Sequence, residues 1–406
     1  MKQQELIPHL FRTEFRKIAA TLCSHFGMVN MDLAEDIASE TFIAALETWP
    51  RKGIPENPAA WLYTVAKNKA RNQFSRSRLF TDKIAGELKG GSSSEEMEID
   101  FSEEKIRDSQ LRMLFAICHP AIGRESQVAL ALRILCGFGI EEIATAFLSN
   151  KETINKRLFR AKEKLKQEKA PVEFPREAEI SVRLDAVLTT IYLLYSEGYY
   201  SESNNMTLRR DLCLEAMRLA ALLLDTPLTA RPEVSALLAL MCFHSSRFAA
   251  RQNDNGEMIL FRDQDESLWN RELISRGAEL LRKAARGNQI SPYHLEAAIA
   301  FHYTNKTDTV EKWKEVLNLY NLLLLVRYSP VAALNRTYAF SKVHGRVAAI
   351  REAEKLPLTN NHYYYTLLGA LYTGIDDSKA RSHYLRALSL AKTKGDKQSI
   401  QKKLKA

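Results

Sequence analysis

The sequence predicts an all-α protein of more than one domain. Apolar residues recur at helical spacing along most of the chain, and no stretch alternates as a strand would. Only 16 glycines and 12 prolines occur in 406 residues, which fits long helices better than a fold with many turns. That length also exceeds one ordinary domain.

Residues 1–85 read as a first helical domain. Within it, "MDLAEDIASETFIAALETW" opens where Asp32 and Glu35 have capping-box spacing. Ala38, Phe42, Ala45, Leu46 and Trp49 form the expected core face of this helix. Asp36, Glu40, Ile43 and Glu47 fall on another side, an acidic stripe interrupted by one isoleucine that suits a protein partner or a solvated face. In "ENPAAWLYTVAKNKARNQFSRSR", Asn57 is placed to cap and Pro58 takes the first helical position, where its missing N–H is harmless. Leu62, Val65, Ala66 and Gln73 face inward. Thr64, Lys67, Asn68, Arg71, Ser75 and Arg78 make a face of donors suited to phosphates and single-stranded bases.

Residues 86–104, "GELKGGSSSEEMEIDFSEE", are Gly/Ser-rich and then acidic. They carry too little apolar surface to offset the entropy of ordering, so they form a flexible acidic linker. Helical periodicity returns over 105–170. The short segment "GIEEIATAF" is followed by a turn of three residues and then by the basic helix of "SNKETINKRLFRAKEKLK", which starts at Asn150 or Lys151. Ser149 and Glu152 have capping-box spacing, and Ile154, Leu158, Ala161 and Leu165 form a buried stripe. A short helix, a turn and a longer basic helix make a helix-turn-helix, whose second helix fits the major groove; the bland counterpart is a basic solvated face on an ordinary helical hairpin.

Pro171 and Pro175 punctuate the chain, and residues 171–406 change character: fourteen of fifteen tyrosines lie beyond residue 190. Leu334, Asn335 and Tyr338 recur as Leu368, Gly369 and Tyr372, an offset of 34, followed by Ala380, Tyr384 and Ala387. This pattern suggests a tetratricopeptide-like helical extension, which would offer a surface for a peptide or regulatory protein. The C-terminal "AKTKGDKQSIQKKLKA" reads as a basic solvated tail.

The net charge of +9 favours polyanionic partners. Five scattered cysteines form no C-x-x-C pair, and nine histidines show no ligand spacing, so neither a metal site nor a cofactor is expected. Asp263, Asp265 and Glu266 lack the spacing of a calcium loop and are expected to cap and pair. No nucleophile, P-loop or dinucleotide fingerprint is present, so the chain is not read as an enzyme. The charged amino terminus is unlike a signal peptide and no apolar run is long enough for a membrane span, so a cytoplasmic protein is expected.

Taken in order, "DLAEDIASETFIAAL", "WLYTVAKNKARNQF" and "IEEIATAFLSNKETINKRLFRAKEKL" resemble bacterial RNA polymerase sigma factors of the extracytoplasmic-function (ECF) type. "ICHPAIGRESQVALALRIL", "AVLTTIYLLYSEGY", "DLCLEAMRLA", "FRDQDESLWNRELI" and "PVAALNRTYA" resemble the subgroup with a long helical C-terminal extension. The resemblance implies two small sigma domains, 1–85 and 105–170, and two partners, core RNA polymerase and promoter DNA. Asp36, Glu40, Ile43 and Glu47 would dock on the polymerase. Trp61, Lys67, Asn68, Arg71, Asn72 and Arg76 would read and melt the minus-ten element, and the loop "WPRKGIPEN" would receive a flipped base. Lys151, Glu152, Thr153, Asn155, Lys156, Arg157 and Arg160 would read the minus-thirty-five element. Two positions depart from the family pattern: Asn72 replaces the usual acidic residue, and Ile117 replaces the first cysteine of the subgroup's "CCHPAL". The alternative is a helix-turn-helix regulator with a ligand- or peptide-sensing C-terminal domain, but such a protein has no reason to keep both the acidic stripe and the donor-rich helix.

Overall fold

A computed structural model describes residues 3–84, 99–200, 206–251, 259, 261–287, 289–391 and 394–405. Most of the expected linker, residues 86–98, therefore lies outside the described residues. All regular structure among the described residues is helical, as the periodicity predicts. The chain divides into two compact units, Met1–Thr229 and Ala230–Ala406.

The first unit holds α1 (Gln3–Phe26), α2 (Met31–Lys52), α3 (Pro58–Ile84), α4 (Glu103–Ile117), α5 (Arg124–Leu130), α6 (Ile140–Ala146), α7 (Lys151–Gln167), α8 (Glu177–Tyr200) and α9 (Met206–Leu224). Helix α1 is the shared element: it packs on α2 and α3 and also on α4. Its Phe15, Ile18 and Leu22 are fully buried. A one-turn π-helix, Ala131–Leu135, follows α5 and also lies against α1. Just beyond it Gly137 has φ +73°, and a Cβ there would sit 2.7 Å from the Arg12 carbonyl oxygen of α1. Only glycine allows both that conformation and that approach.

Two capping expectations need correction. Helix α2 begins one residue earlier than Asp32, and its N-cap Asn30 makes no side-chain cap bond. Asp32 and Glu35 are instead drawn into ion pairs with Lys162, Lys166 and Arg133. In α7 the cap is Asn150, not Ser149: its side chain accepts from the Thr153 N–H at 2.8 Å. The turn between α6 and α7 is four residues long, with Leu148 in the left-handed region at φ 48°. The cap of α3 is as expected, with the Asn57 side chain accepting from the Ala60 N–H at 3.0 Å.

Helices α8 and α9 follow the proline pair but belong to the first unit, whereas the sequence starts the extension at 171. The reason lies in their polar contacts. Arg183 on α8 donates to the Phe115 carbonyl at the end of α4, at 2.7 Å. Thr190 donates to Gln127 Oε1 at 3.0 Å, while Gln127 Nε2 donates to the carbonyls of His119 and Ile122. This ties the "ICHPAIGRESQ" segment to α8. From α9, Arg218 donates to the Leu135 carbonyl at 2.6 Å, and Asp211 and Glu215 pair with Arg12 and Arg16 of α1. The two helices brace both halves of the unit.

The second unit holds α10 (Pro232–Ser246), α11 (Arg271–Ala284), α12 (Pro292–His302), α13 (Val310–Val326), α14 (Pro330–His344), α15 (Arg346–Ala353), α16 (His362–Tyr372), α17 (Asp377–Leu390) and α18 (Lys394–Lys405), each packed on the next. Gly369 lets α16 approach α17: a Cβ there would lie 2.7 Å from the Tyr384 ring. Leu334 and Leu368 are both buried, but Tyr372 is buried where Tyr338 is 43% exposed, so the 34-residue offset holds for leucine and fails for tyrosine. The basic tail is a helix, not a solvated strand of chain: Ile400 is buried with Tyr384, Ala387 and Ala391. Asp265 caps a short turn by accepting from the Ser267 N–H.

Candidate nucleic-acid interface

Helix α7 presents two unlike faces. Ile154, Leu158, Ala161 and Leu165 are buried, as the spacing predicts. Lys151, Glu152, Thr153, Asn155, Lys156 and Arg160 are exposed on the other side. Lys151 pairs with Glu141 of α6. Arg157 differs from its neighbours: it pairs with Glu125 of α5 at 2.8 Å, and its guanidinium lies over the Phe147 ring. It holds the helix-turn-helix together and does not belong to the open face. Phe159, passed over by the sequence reading, is 65% exposed between Lys156 and Arg160. Its position outside the buried stripe was the available signal, because an aromatic ring left in water on a basic helix asks for a partner.

On α3, Thr64, Asn68, Arg71 and Asn72 are exposed, and Lys67 is half-buried. Leu62, Ala66 and Ala70 are buried beneath them. Trp61 is half-buried, edge-on to the buried Trp49 at 5.4 Å. Arg76 lies on α3, but its side chain, like those of Ser75 and Arg78, lies outside the described ones.

On α2, Asp36, Glu40, Ile43 and Glu47 are all exposed. Glu40 pairs with Lys69 of α3 at 2.9 Å. Leu46 was expected in the core, but it is 54% exposed and lies beside Ile43 at 53%. The residues i+3 apart point the same way on a helix, so the stripe is an apolar pair flanked by carboxylates.

These surfaces are held in one body by charge. Lys162 Nζ lies 2.9 Å from Asp32 and also pairs with Glu35; Lys166 lies 2.7 Å from Asp32; Arg133 lies 2.9 Å from Glu35. Burial pulls the Asp32 carboxyl up, but the hydrogen bonds and charges of Lys166 and Lys162 outweigh it and hold its pKa below the ordinary value. Burial likewise opposes charge on Lys162, yet Glu35 and Asp32 raise its pKa overall. All five cysteines are buried, and burial pushes the Cys118 and Cys136 thiols up to about 12, so neither is a nucleophile at neutral pH.

Residues 11–79 match the family described as Sigma-70 region 2, and residues 183–285 match a family of unknown function, DUF6596. An uncharacterized protein of Rhizobium meliloti is 37% identical over 370 residues, covering 89% of this chain and 87% of the relative. The ECF RNA polymerase sigma factor BldN of Streptomyces coelicolor is 29% identical over 131 residues, 32% of this chain and 47% of that protein. No solved structure matches. None of the described helices is long and apolar enough to cross a membrane. With the region 2 match lying over α1–α3, and a relative of known type sharing the sequence, the chain belongs to the RNA polymerase sigma factors of the extracytoplasmic-function type, with a long helical C-terminal extension.

Proposed function

We propose that this sigma factor docks on core RNA polymerase through the α2 stripe, reads the minus-thirty-five element with α7 and opens the minus-ten element with α3. The observation that carries this is the open face of α7: Asn155, Lys156 and Arg160 stand free of the packed stripe, at the amino-terminal and middle turns that a helix-turn-helix places against base edges. The α3 donors Thr64, Asn68 and Arg71 add a second polar face of the kind that holds phosphates and unpaired bases. The exposed Ile43 and Leu46 among carboxylates give α2 the mixed character of a protein-docking surface.

The two DNA-facing helices cannot serve both elements in the arrangement described. Elements about 25 base pairs apart are separated by about 85 Å along the duplex. Lys162 and Lys69 are linked through Asp32 and Glu40, which lie eight positions apart on α2 and so about 12 Å apart along its axis. Allowing for the side chains, the two reading faces lie within about 60 Å of each other. Simultaneous reading therefore requires the Asp32–Glu35–Lys162–Lys166–Arg133 cluster to part, and polymerase docking on the same helix α2 is the natural trigger.

The test is a pull-down with core polymerase. Asp36→Arg with Glu40→Arg is expected to abolish co-purification while leaving the circular dichroism of the chain unchanged. Binding equal to the wild type would remove α2 as the docking surface.

A further inference from the structure

The amino-terminal edge of α4 meets α3 in a way that the docking and reading roles leave unexplained. Residues Ile99, Asp100, Phe101 and Ser102, the last of the linker, lie over one margin of the α3 donor face. Together with Tyr63, Thr64 and Lys67 they line a groove of about 590 Å³. Ile99 is buried and anchors the segment. Asp100 accepts from the Ser102 N–H at 2.8 Å, and Ser102 caps α4 through the Lys105 N–H, so the turn is fixed. Phe101 stacks on Tyr63 with the ring centroids 5.0 Å apart and the planes within 5°. The Tyr63 hydroxyl donates to Glu14 of α1, which locks the ring on its other edge.

A flat ring stacked on a fixed tyrosine, a carboxylate at the groove's rim and a lysine in its wall reproduce the chemistry of a nucleotide: base, phosphate and counter-charge. Aromatic platforms beside a basic groove bind single strands because every base has a π-face. We infer that the Tyr63–Lys67 groove is a site for one unstacked nucleobase of single-stranded DNA, with the adjoining phosphate near Lys67, and that Phe101 occupies the base position in the free protein. This rests on the reading of α3 as a DNA-facing helix. It adds a base site on the α1-facing flank of α3, starting six residues after the "WPRKGIPEN" loop. It also gives the linker a role: a strand entering the groove displaces Phe101 and frees the linker end from α3.

The test uses the full chain and a fluorescein-labelled twelve-nucleotide deoxythymidine strand, followed by anisotropy at fixed salt. Phe101→Ala is expected to bind about tenfold more tightly than wild type, because the internal competitor is gone. Phe101→Trp, which keeps the stack, should bind as weakly as the wild type. Tyr63→Leu should lose about tenfold in affinity and cancel the gain when combined with Phe101→Ala, while Tyr63→Phe should retain binding. If Phe101→Ala binds no more tightly, or binds more weakly, the placeholder is refuted. If Lys67→Glu with Arg71→Glu still abolishes binding in that case, the reading of α3 stands without this site. If that charge reversal also has no effect, both fall.

Discussion

The two helices that carry DNA-facing donors are finished differently. Helix α7 is sealed underneath by four buried residues, braced through α5 and α6, and open above. Helix α3 has Lys69 held by Glu40, Tyr63 held by Glu14, and the margin around Lys67 roofed by the linker end. A helix that reads duplex edges needs only to be rigid and exposed. A helix that holds unpaired bases benefits from being covered until a strand is available, since exposed aromatic and basic surface binds any nucleic acid. The difference therefore fits one preformed reader and one guarded one.

The comparison breaks most severely if α7 is ready only because α8 and α9 hold it. Residues 1–170 alone lose the bonds from Arg183, Thr190 and Arg218 to α4, α5 and the π-turn, besides the apolar surface buried there. Each bond contributes about 1 kcal/mol, and the lost burial adds to it, so a loss of several kcal/mol is expected. Thermal unfolding of residues 1–170 should show a much lower midpoint than residues 1–229. Equal midpoints would make the braces dispensable.

Separating the two halves is the next largest effect. Glu35 is buried and faces both Arg133 and Lys162. Glu35→Ala leaves Arg133 without its carboxylate and Lys162 with Asp32 alone, and should cost about 3 kcal/mol, whereas Asp32→Ala, at an exposed carboxylate, should cost less than about 1 kcal/mol. The same cluster sets a pH dependence. Because the Asp32 pKa is lowered, its contribution is present above the unfolded value of 3.8 and lost as pH falls through the folded value. Because the pKa values of Lys162 and Lys166 are raised, their contribution is present below 10.5 and lost as pH rises through the folded values. Between about pH 5 and pH 9 the contributions of Asp32, Lys162 and Lys166 should be insensitive to pH; chemical denaturation of the Asp32→Ala variant against wild type across that range checks it.

The smallest effects sharpen the contrast between the helices. Lys156→Ala and Arg160→Ala should each weaken binding to a duplex minus-thirty-five element by about 1–3 kcal/mol if they contact base edges, and Phe159→Ala should weaken it only at sites bearing a thymine methyl group. None of the three should change folding stability by more than about 0.5 kcal/mol, since all are exposed. Lys67→Glu should leave duplex binding by α7 unchanged.

Much of this architecture was legible in the chain. The stripe of Ile154, Leu158, Ala161 and Leu165, the Asn57–Pro58 start of α3 and the all-helical fold follow from periodicity and capping chemistry. What was not legible depended on partners distant in sequence. Asp32 and Glu35 have the spacing of a capping box, yet Lys162, Lys166 and Arg133, about a hundred residues away or more, attract them more strongly. Arg157 looks like any other basic residue on α7 until Glu125 and Phe147 claim it. Leu46 has the helical spacing of a core residue but sits at the margin of its face. Pro171 and Pro175 signal the end of a helix; that the next two helices return to brace α4 and α1 is decided by Arg183, Arg218 and Glu215, and no local pattern announces it.

The central claim is that α3 and α7 begin close together and part when both promoter elements are engaged. Because every native cysteine is buried, introduced thiols at the exposed positions Glu56 and Lys164 can be labelled with a donor and an acceptor dye. Energy transfer is then compared between the free chain and its complex with core polymerase and promoter DNA. Efficient transfer in the free chain and little in the complex, as expected for a separation growing towards about 85 Å, is the predicted result. Equal transfer in both states would contradict the account.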